Sequence, residues 1–370
     1  MRLKLKMLSP LIIGGQKLNS NYIESIDYIP GNVLRAAFAR VILNHCTAYS
    51  GEVEEIDGQK RVNWVHYRNK ESCKKCKYKR ICERFSDIKF GFFYPQGTTP
   101  IVMSQMVCKN DEKHSLVDSL TYNKANGCPT CKGRLEYTKG FSLDNKIFKT
   151  KKSIYTRVEI DRYTKTSKDG RLYTLMPVLE EYFVGEIQGI EESELDLFDD
   201  LRVGSYVSVG FGRCKLEKEK ELKEDKNKIL LNMQKFSNKY KEVNNKKDNL
   251  NYFALLLETD ARVKLENLEG YKTTEEYKNI LANLLNLNSD FKIDKVYLET
   301  NIYRGYDTSM VGDTREEAVY QILKGSVFII SSSKNFEEIK NNFSELTIGE
   351  ENLNGFGKIR FYFGGVENAK

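Results

Sequence analysis

The sequence predicts an α+β protein of two ferredoxin-like (RRM-like) βαββαβ domains, the first carrying a metal-binding insertion. Three observations predict it. In the last third, apolar residues switch between strand and helix periods in the order βαββαβ. Two glycine turns, Val209-Gly210-Phe211-Gly212-Arg213 and Asn354-Gly355-Phe356-Gly357-Lys358, recur 145 residues apart (357 − 212 = 145). That interval is the span of one domain and reads as a duplicated fold. Most of the cysteines fall within a loop-rich interval from about 46 to 150. The expected boundaries are a first domain over 1–216, a charged linker over 217–250 and a second domain over 251–370.

The first domain opens on Met1-Arg2-Leu3-Lys4-Leu5-Lys6-Met7-Leu8. Its period-two alternation is that of a half-buried strand, not of a signal peptide with a continuous apolar core. The turn Ile29-Pro30-Gly31-Asn32 precedes a helix with Leu34, Ala37, Phe38, Val41 and Ile42 on one face. With Asn32 as N-cap, Arg35 sits in the first turn, where a cation opposes the helix dipole at ~0.3–1 kcal/mol when exposed. A phosphate held by the free N–H groups would reverse that penalty, and Arg40 adds a second cation. Pro30, Gly31, Asn32, Arg35 and Arg40 are therefore candidate RNA contacts; the plainer reading is an Arg35 that reaches into solvent. Strand-like Tyr182 to Ile187, helix-like Leu195 to Leu201 and the first glycine turn complete the domain.

The cysteines carry the sharpest local chemistry. Cys73-Lys74-Lys75-Cys76 is followed by Cys82, and Cys128-Pro129-Thr130-Cys131 forms a second knuckle. Two such knuckles in one insertion build a tetrahedral thiolate site, so a structural zinc ion is expected among Cys73, Cys76, Cys82, Cys128 and Cys131. Five thiols for four places leave one undecided, and an iron–sulfur cluster is the alternative. Cys46, Cys108 and Cys214 read as packed thiols.

Beyond the insertion, Val158 to Lys165 and Arg171 to Leu175 read as strands of a β-hairpin with an exposed tip at 166–170. Arg162, Tyr163, Lys165 and Arg171 place cations beside an aromatic, which suits single-stranded nucleic acid; a merely solvated tip is the alternative. From 217 to 249 the chain is crowded with Lys, Glu, Asp and Asn and reads as a linker or solvated helix. In the second domain, Tyr252 to Glu258 is a strand and Tyr277, Ile280, Leu281, Leu284 and Leu285 share one helical face. Strands at Lys295 to Thr300, Ser326 to Ile330 and Ile359 to Phe363 follow, with a helix marked by Phe336, Ile339 and Phe343. The open face of such a sheet is a common RNA platform.

Net charge is +7, which permits a polyanionic partner without requiring one. No window approaches eighteen uninterrupted apolar residues, so no membrane partner is expected and a cytoplasmic location is.

These elements together resemble the CRISPR-associated RAMP superfamily. Tyr28-Ile29-Pro30-Gly31-Asn32-Val33-Leu34-Arg35-Ala36-Ala37 is similar to its Pro-Gly-Ser-x-Leu-Arg-Gly pattern, with Asn32 and Ala36 as departures. Ile160-Asp161-Arg162-Tyr163-Thr164, both Gly-Phe-Gly turns, Tyr303-Arg304-Gly305-Tyr306 and Lys324-Gly325-Ser326-Val327-Phe328 fit in order. The chain most resembles the two-domain RAMP subunit of type III, subtype D effector complexes. The resemblance implies a non-catalytic subunit in antiviral defence that holds the repeat-derived 5′ handle of the guide RNA (crRNA). Its partners would be the large polymerase-like subunit, other RAMP subunits and, indirectly, target RNA. Arg213 and Lys358 would pair guide phosphates, with Arg304 and Lys324 as further contacts. Target-cutting RAMP subunits carry an Asp in the loop after the first strand, here Gly14 to Asn21, where the nearest carboxylates are Glu24 and Asp27. Of the three histidines, His45, His66 and His114, His45 could serve an endoribonuclease as general acid or base, the first alternative. The second alternative is a scaffold that docks protein through its zinc insertion.

Overall fold

Leu3 and Leu5 are wholly buried while Lys4 and Lys6 face outward, so Arg2–Met7 forms a central strand of the first sheet. It pairs antiparallel with Tyr182–Gln188 on one side and Arg213–Lys218 on the other. The computed structural model describes all residues except 15–16, 20, 57, 221–225, 265–272, 313, 345 and 366–370. Three residues of the loop from Gly14 to Asn21 (Gly15, Gln16 and Ser20) thus lie outside the described residues. The chain is strand-rich and mixed α+β.

The first sheet runs, edge to edge, Leu201–Arg202, Arg213–Lys218, Arg2–Met7, Tyr182–Gln188 and Lys89–Phe90, with Tyr94–Pro95 also on Tyr182–Gln188. The two short strands Lys89–Phe90 and Tyr94–Pro95 lie inside the interval read as an insertion. That interval is therefore not wholly outside the sheet, because Phe90 and Phe93 fill the core beneath the first helix. The first helix, Gly31–His45, buries Leu34, Ala37, Phe38, Val41 and Ile42, the stripe its periodicity marks. The helical stretch near Leu195 is a 3₁₀ turn over Glu192–Phe198, and Leu201 begins a strand instead.

The second sheet is antiparallel in the order Phe291–Tyr297, Val327–Ser332, Asn251–Leu257, Ile359–Tyr362. The strand Phe291–Tyr297 begins four residues and ends three residues earlier than the expected Lys295 to Thr300. Thr274–Leu284 opens on a capping box between Thr273 and Glu276, and Phe336–Phe343 opens on Asn335. Both helices cover the face carrying Phe253, Leu255 and Leu257.

The opposite face is not an open platform. Lys226–Val243, expected as a linker or solvated helix, is a helix, but its Met233, Phe236 and Tyr240 are buried. Phe236 and Tyr240, together with Val102 and Leu120 from the cysteine-rich region, cover Tyr252, Ala254 and Leu256. The charged residues occupy the outer side of this helix and mask a stripe spaced 3, 4 and 7 residues apart. Further bonds tie the halves: Tyr28 donates to Asp260 Oδ2 at 2.6 Å, Tyr94 to the Glu258 carbonyl at 2.6 Å, and Met103 N–H to the Gly325 carbonyl at 2.8 Å.

Candidate nucleic-acid interface and metal centre

The two glycine turns are the same structure built twice. A 3₁₀ turn, Val207–Val209 or Asn352–Asn354, is entered through a left-handed residue, Tyr206 or Glu351, each with φ +58°. Gly212 and Gly357 both have φ +74°, and a Cβ on either would lie within 2 Å of a carbonyl oxygen, that of Val203 or Ile348. Only glycine fits there. The carbonyls of Gly212 and Gly357 accept from Val203 N–H at 2.8 Å and Ile348 N–H at 2.9 Å. Phe211 and Phe356 are both buried, each under an arginine: Arg157 at 5.3 Å and Arg262 at 4.2 Å from the ring centroids. Neither aromatic ring is free to stack on a base.

The environments of the two turns differ. In the second, Gly355 and Gly357 are buried, and Gly31 at the start of the first helix has room for no Cβ between Phe90 and Asn354 carbonyls. In the first, Gly210 and Arg213 are exposed, as is Arg202 beside them, and a Cβ at Gly210 would meet nothing within 4 Å. Arg213 and Arg202 lie loosely about Asp200, at 3.9 and 3.6 Å. The first turn is the open copy.

The hairpin adjoins that open copy. Tyr155–Ile160 pairs with Ser167–Met176, so the tip lies at 161–166, ahead of the expected 166–170. Asp161 Oδ1 accepts from Tyr163 and Thr164 N–H at 2.8 and 3.0 Å, shaping a turn that leaves Arg162, Tyr163 and Lys165 exposed. These two bonds hold the Asp161 carboxyl below its usual range. Tyr163 is 96% exposed. Arg171 is exposed on the second strand, 3.8 Å from Glu159. At the base, Tyr155, Leu175, Ile12 and Phe211 form one small core, which joins hairpin and first turn.

Of the other expected RNA contacts, Arg35, Lys324 and Lys358 are engaged by groups of the protein itself. Arg35 donates Nε to Asn354 Oδ1 at 2.7 Å, Nη1 to the Phe85 carbonyl at 3.0 Å, and Nη2 to Ile88 and Leu353 carbonyls at 2.5 and 3.1 Å. Its guanidinium also lies over Phe90 at 4.9 Å, and burial lowers its pKa to about 10. Arg35 is a clamp between the first helix and the second turn, not a displayed phosphate ligand. Pro30, not Asn32, is the N-cap, and Asn32 Oδ1 accepts from its neighbour Val33. Arg40 is exposed further along the helix. Lys358 is exposed but bridges Glu258 at 3.2 Å and Glu186 at 3.6 Å. Lys324 lies 3.8 Å from the Tyr28 ring centroid and 3.9 Å from Asp260; burial lowers its pKa against the pull of both Asp260 and Asp27. Arg304 is exposed and donates Nε to the Glu316 carbonyl at 2.8 Å.

Glu24 and Asp27 both pair with Lys152, each at 2.7 Å. His45 is exposed, with Nδ1 2.8 Å from the Val41 carbonyl of its own helix. His66 lies 4.0 Å from Glu54.

The cysteines divide differently from their sequence grouping. Cys108, His114, Cys128 and Cys131 bring their ligand atoms within 4.8 Å of one another. Cys108 and Cys131 Sγ are 3.4 Å apart, and Cys128 Sγ is 3.5 Å from His114 Nδ1. The knuckle is closed by Cys128 N–H donating to Gly133 and Lys132 N–H donating to Cys128. His114 Nε2 lies 3.7 Å from Asp111 Oδ2, so the ring nitrogen that faces away from the sulfurs has a carboxylate to orient it. Burial opposes ionisation of Cys128, yet the Cys131 and Thr130 backbone N–H groups bring its thiol down to about 6. Three sulfurs and one imidazole nitrogen are a tetrahedral donor set able to hold a metal ion. Cys108 is therefore more than a packed thiol, and His114 is a donor that no knuckle spacing reveals. Cys73, Cys76 and Cys82 stand outside this group. For Cys82, burial and then the thiols of Cys76, Cys46 and Cys73 push the pKa up to about 12.

Residues 4–215 match the model of the RAMP superfamily. No curated protein matches the chain. Among solved structures, a chain of the type III-B Cmr-beta complex bound to cognate target RNA is 15% identical with TM-score 0.44, over 92% of this chain and 89% of that one. Thermus thermophilus Cse3 bound to an RNA representing a pre-cleavage complex is 10% identical with TM-score 0.25, over 57% of this chain and 78% of that one.

Proposed function

The chain belongs to the RAMP superfamily, and we propose that it is a non-catalytic guide-RNA-binding subunit of a type III CRISPR effector ribonucleoprotein. In this reading it holds the repeat-derived 5′ handle and contacts the large polymerase-like subunit. The observation that carries it is the surface shared by the hairpin and the open first turn. There Arg162, Lys165, Arg171, Arg202 and Arg213 are all exposed, and Tyr163 projects almost free of the protein. Exposed cations pair phosphates without reading sequence, while an exposed tyrosine offers a base its face. The guide would run from the first turn along the hairpin. Its backbone would lie close at Gly210, where no side chain intervenes.

We further read both halves as ferredoxin-like domains, over 1–216 and 251–370, joined by the helix Lys226–Val243. The strand orders support this: in each sheet the first strand lies between the last, Arg213–Lys218 or Ile359–Tyr362, and the strand Tyr182–Gln188 or Val327–Ser332. Zinc is the metal assigned to Cys108, His114, Cys128 and Cys131. Its role is structural, because four protein donors leave no open position for a reacting water. Lack of catalysis is supported by Glu24 and Asp27, both paired with Lys152, and by His45, whose Nδ1 faces its own helix.

The test uses the purified chain with labelled RNA containing one full CRISPR repeat and a scrambled RNA beside it. Intact RNA retained in preference to the scrambled control is expected. A defined cut in the repeat, abolished by His45→Ala, would instead make the chain a processing endoribonuclease. Equal retention of both RNAs, unaffected by Arg213→Gln and Arg171→Gln, would leave only a protein scaffold.

A further inference from the structure

A cavity of about 380 Å³ opens where the two halves and the cysteine-rich region meet, a volume in the range of small-ligand sites. Glu24 and Asp27 line one wall, Ile101, Met103 and Phe141 a second, and Leu323 and Lys324 a third. Asp260 fixes the Lys324 corner: its Oδ1 accepts from the Lys324 backbone N–H at 2.8 Å and its Oδ2 from the Tyr28 hydroxyl at 2.6 Å. The Lys324 ammonium is held over the Tyr28 ring at 3.8 Å from the centroid and lies 3.9 Å from Asp260 Oδ1. Neither partner accepts a hydrogen bond from it, since an oxygen at that distance is out of range. Among the described residues its N–H donors therefore meet no acceptor, although the side chain is only 19% exposed.

The cavity's other ammonium is satisfied. Lys152 Nζ lies 2.7 Å from Glu24 Oε1, 2.7 Å from Asp27 Oδ1 and 3.0 Å from the Ser25 carbonyl. The Thr150 hydroxyl donates to Asp27 Oδ1 as well, at 2.6 Å. All these bonds fall on one oxygen of each carboxylate, so Glu24 Oε2 and Asp27 Oδ2 keep their lone pairs among the described residues. The balance of charge sets the class of ligand. A phosphate on Lys324 would meet Asp27 and Asp260 as well, so the occupant is a neutral group. It must bring an acceptor to Lys324, donors to the carboxylates and apolar faces to Ile101, Met103 and Leu323. A nucleobase has this make-up. Guanine alone among the RNA bases sets the acceptor O6 beside two donors, N1–H and N2–H, on its Watson–Crick edge. Cytosine and uracil each place two acceptors on that edge, and adenine offers a single donor.

We infer that this cavity binds a guanine base, O6 accepting from Lys324 and the N1–H and N2–H edge donating to Asp27 and Glu24. Ribose and phosphate would stay at the mouth, where Lys139, 75% exposed, is bound to Glu299. A free guanosine nucleotide and an unpaired guanosine of an RNA share this edge. The inference does not depend on the guide-RNA reading, which rests on the hairpin surface.

The test is calorimetric titration of the full chain with guanosine, inosine and adenosine 5′-monophosphates. Inosine lacks the 2-amino donor and should bind ~10-fold more weakly than guanosine, and adenosine more weakly still. Lys324→Met and Asp27→Asn should each lower guanosine affinity ~10-fold or more. Short single-stranded RNAs carrying guanosine or inosine at one position are titrated in parallel. Discrimination among the RNAs alone would uphold the inference and assign the base to RNA; discrimination among the mononucleotides alone would uphold it and assign a free nucleotide. Equal affinity for guanosine and inosine in both forms overturns it, and so does guanosine binding unchanged in Lys324→Met. The guanosine–inosine comparison is made on the wild-type chain and so does not rest on the folding of a variant. Retention of repeat RNA is read separately at Arg213 and Arg171, so failure of the guide-RNA reading and failure here are told apart.

Discussion

Tyr155 meets Phe211 edge-to-face with ring centroids 5.8 Å apart. That contact, within the small core that also holds Ile12 and Leu175, couples the base of an exposed hairpin to a turn made rigid by glycine geometry. Two segments more than fifty residues apart thereby present their cations as one surface.

If that surface receives phosphates, Arg213→Gln and Arg171→Gln should each weaken RNA binding and reduce the log–log salt slope by about one. Lys358→Gln, whose amine already bridges Glu186 and Glu258, should leave the slope unchanged. Fluorescence anisotropy across a salt series makes the comparison. An equal effect at all three positions would refute the division between an open and a sealed turn.

Tyr163→Ala tests stacking separately from charge. With nothing of the ring buried against the protein, thermal stability should stay within ~0.5 kcal/mol of the wild type. Affinity for single-stranded RNA should fall by ~1–3 kcal/mol if a base lies on the ring. The same titration against a duplex would show a smaller loss.

Arg35→Ala should cost stability rather than RNA affinity. It removes donors from three backbone carbonyls and from Asn354, and leaves acceptors in a partly dry interface, for ~2–3 kcal/mol. Denaturant unfolding measures the loss. A stable variant with sharply weakened RNA binding would return Arg35 to the role its sequence position implies.

The glycines give an internally controlled series. Gly212→Ala and Gly357→Ala should each destabilise by at least ~2 kcal/mol, combining a left-handed backbone with a carbonyl in the place of the new methyl. Gly210→Ala meets only the backbone penalty, about 1 kcal/mol, since its surroundings are open. Differential scanning fluorimetry ranks the three.

If the Cys108, His114, Cys128 and Cys131 group holds zinc, Asp111→Asn should weaken its binding ~10-fold or more while leaving every ligand in place, because the carboxylate orients His114 from behind. Competition with a chromophoric chelator reads this directly. Acid should release the ion as well, since thiolates must be protonated to let it go.

Much of the framework was legible because it is periodic. The stripe Leu34 to Ile42 and the capping box at Thr273 are written in neighbouring residues, and the repeated Gly-Phe-Gly announces its own symmetry. What escaped depends on partners distant in the chain. Arg35 looks like an anion ligand until the carbonyls of Phe85, Ile88 and Leu353 are placed around it. Cys108 and His114 show no knuckle spacing, so their meeting with Cys128 and Cys131 is a product of folding alone. In Lys226–Val243, abundant lysine hid the buried side chains of Met233, Phe236 and Tyr240, since average composition cannot report which side of a helix a residue occupies.

The sealing of the second turn against Gly31 and Arg35 also decides how the molecule can be taken apart. A fragment ending near 216 would leave the groove at the head of its first helix vacant and two of the four guanidinium bonds of Arg35, those to Asn354 and Leu353, unmade. A fragment beginning near 251 would lose Phe236 and Tyr240 from one side of its sheet and expose an apolar face to water. The two halves that carry the repeated turn are therefore not interchangeable, and each serves as part of the other's interior.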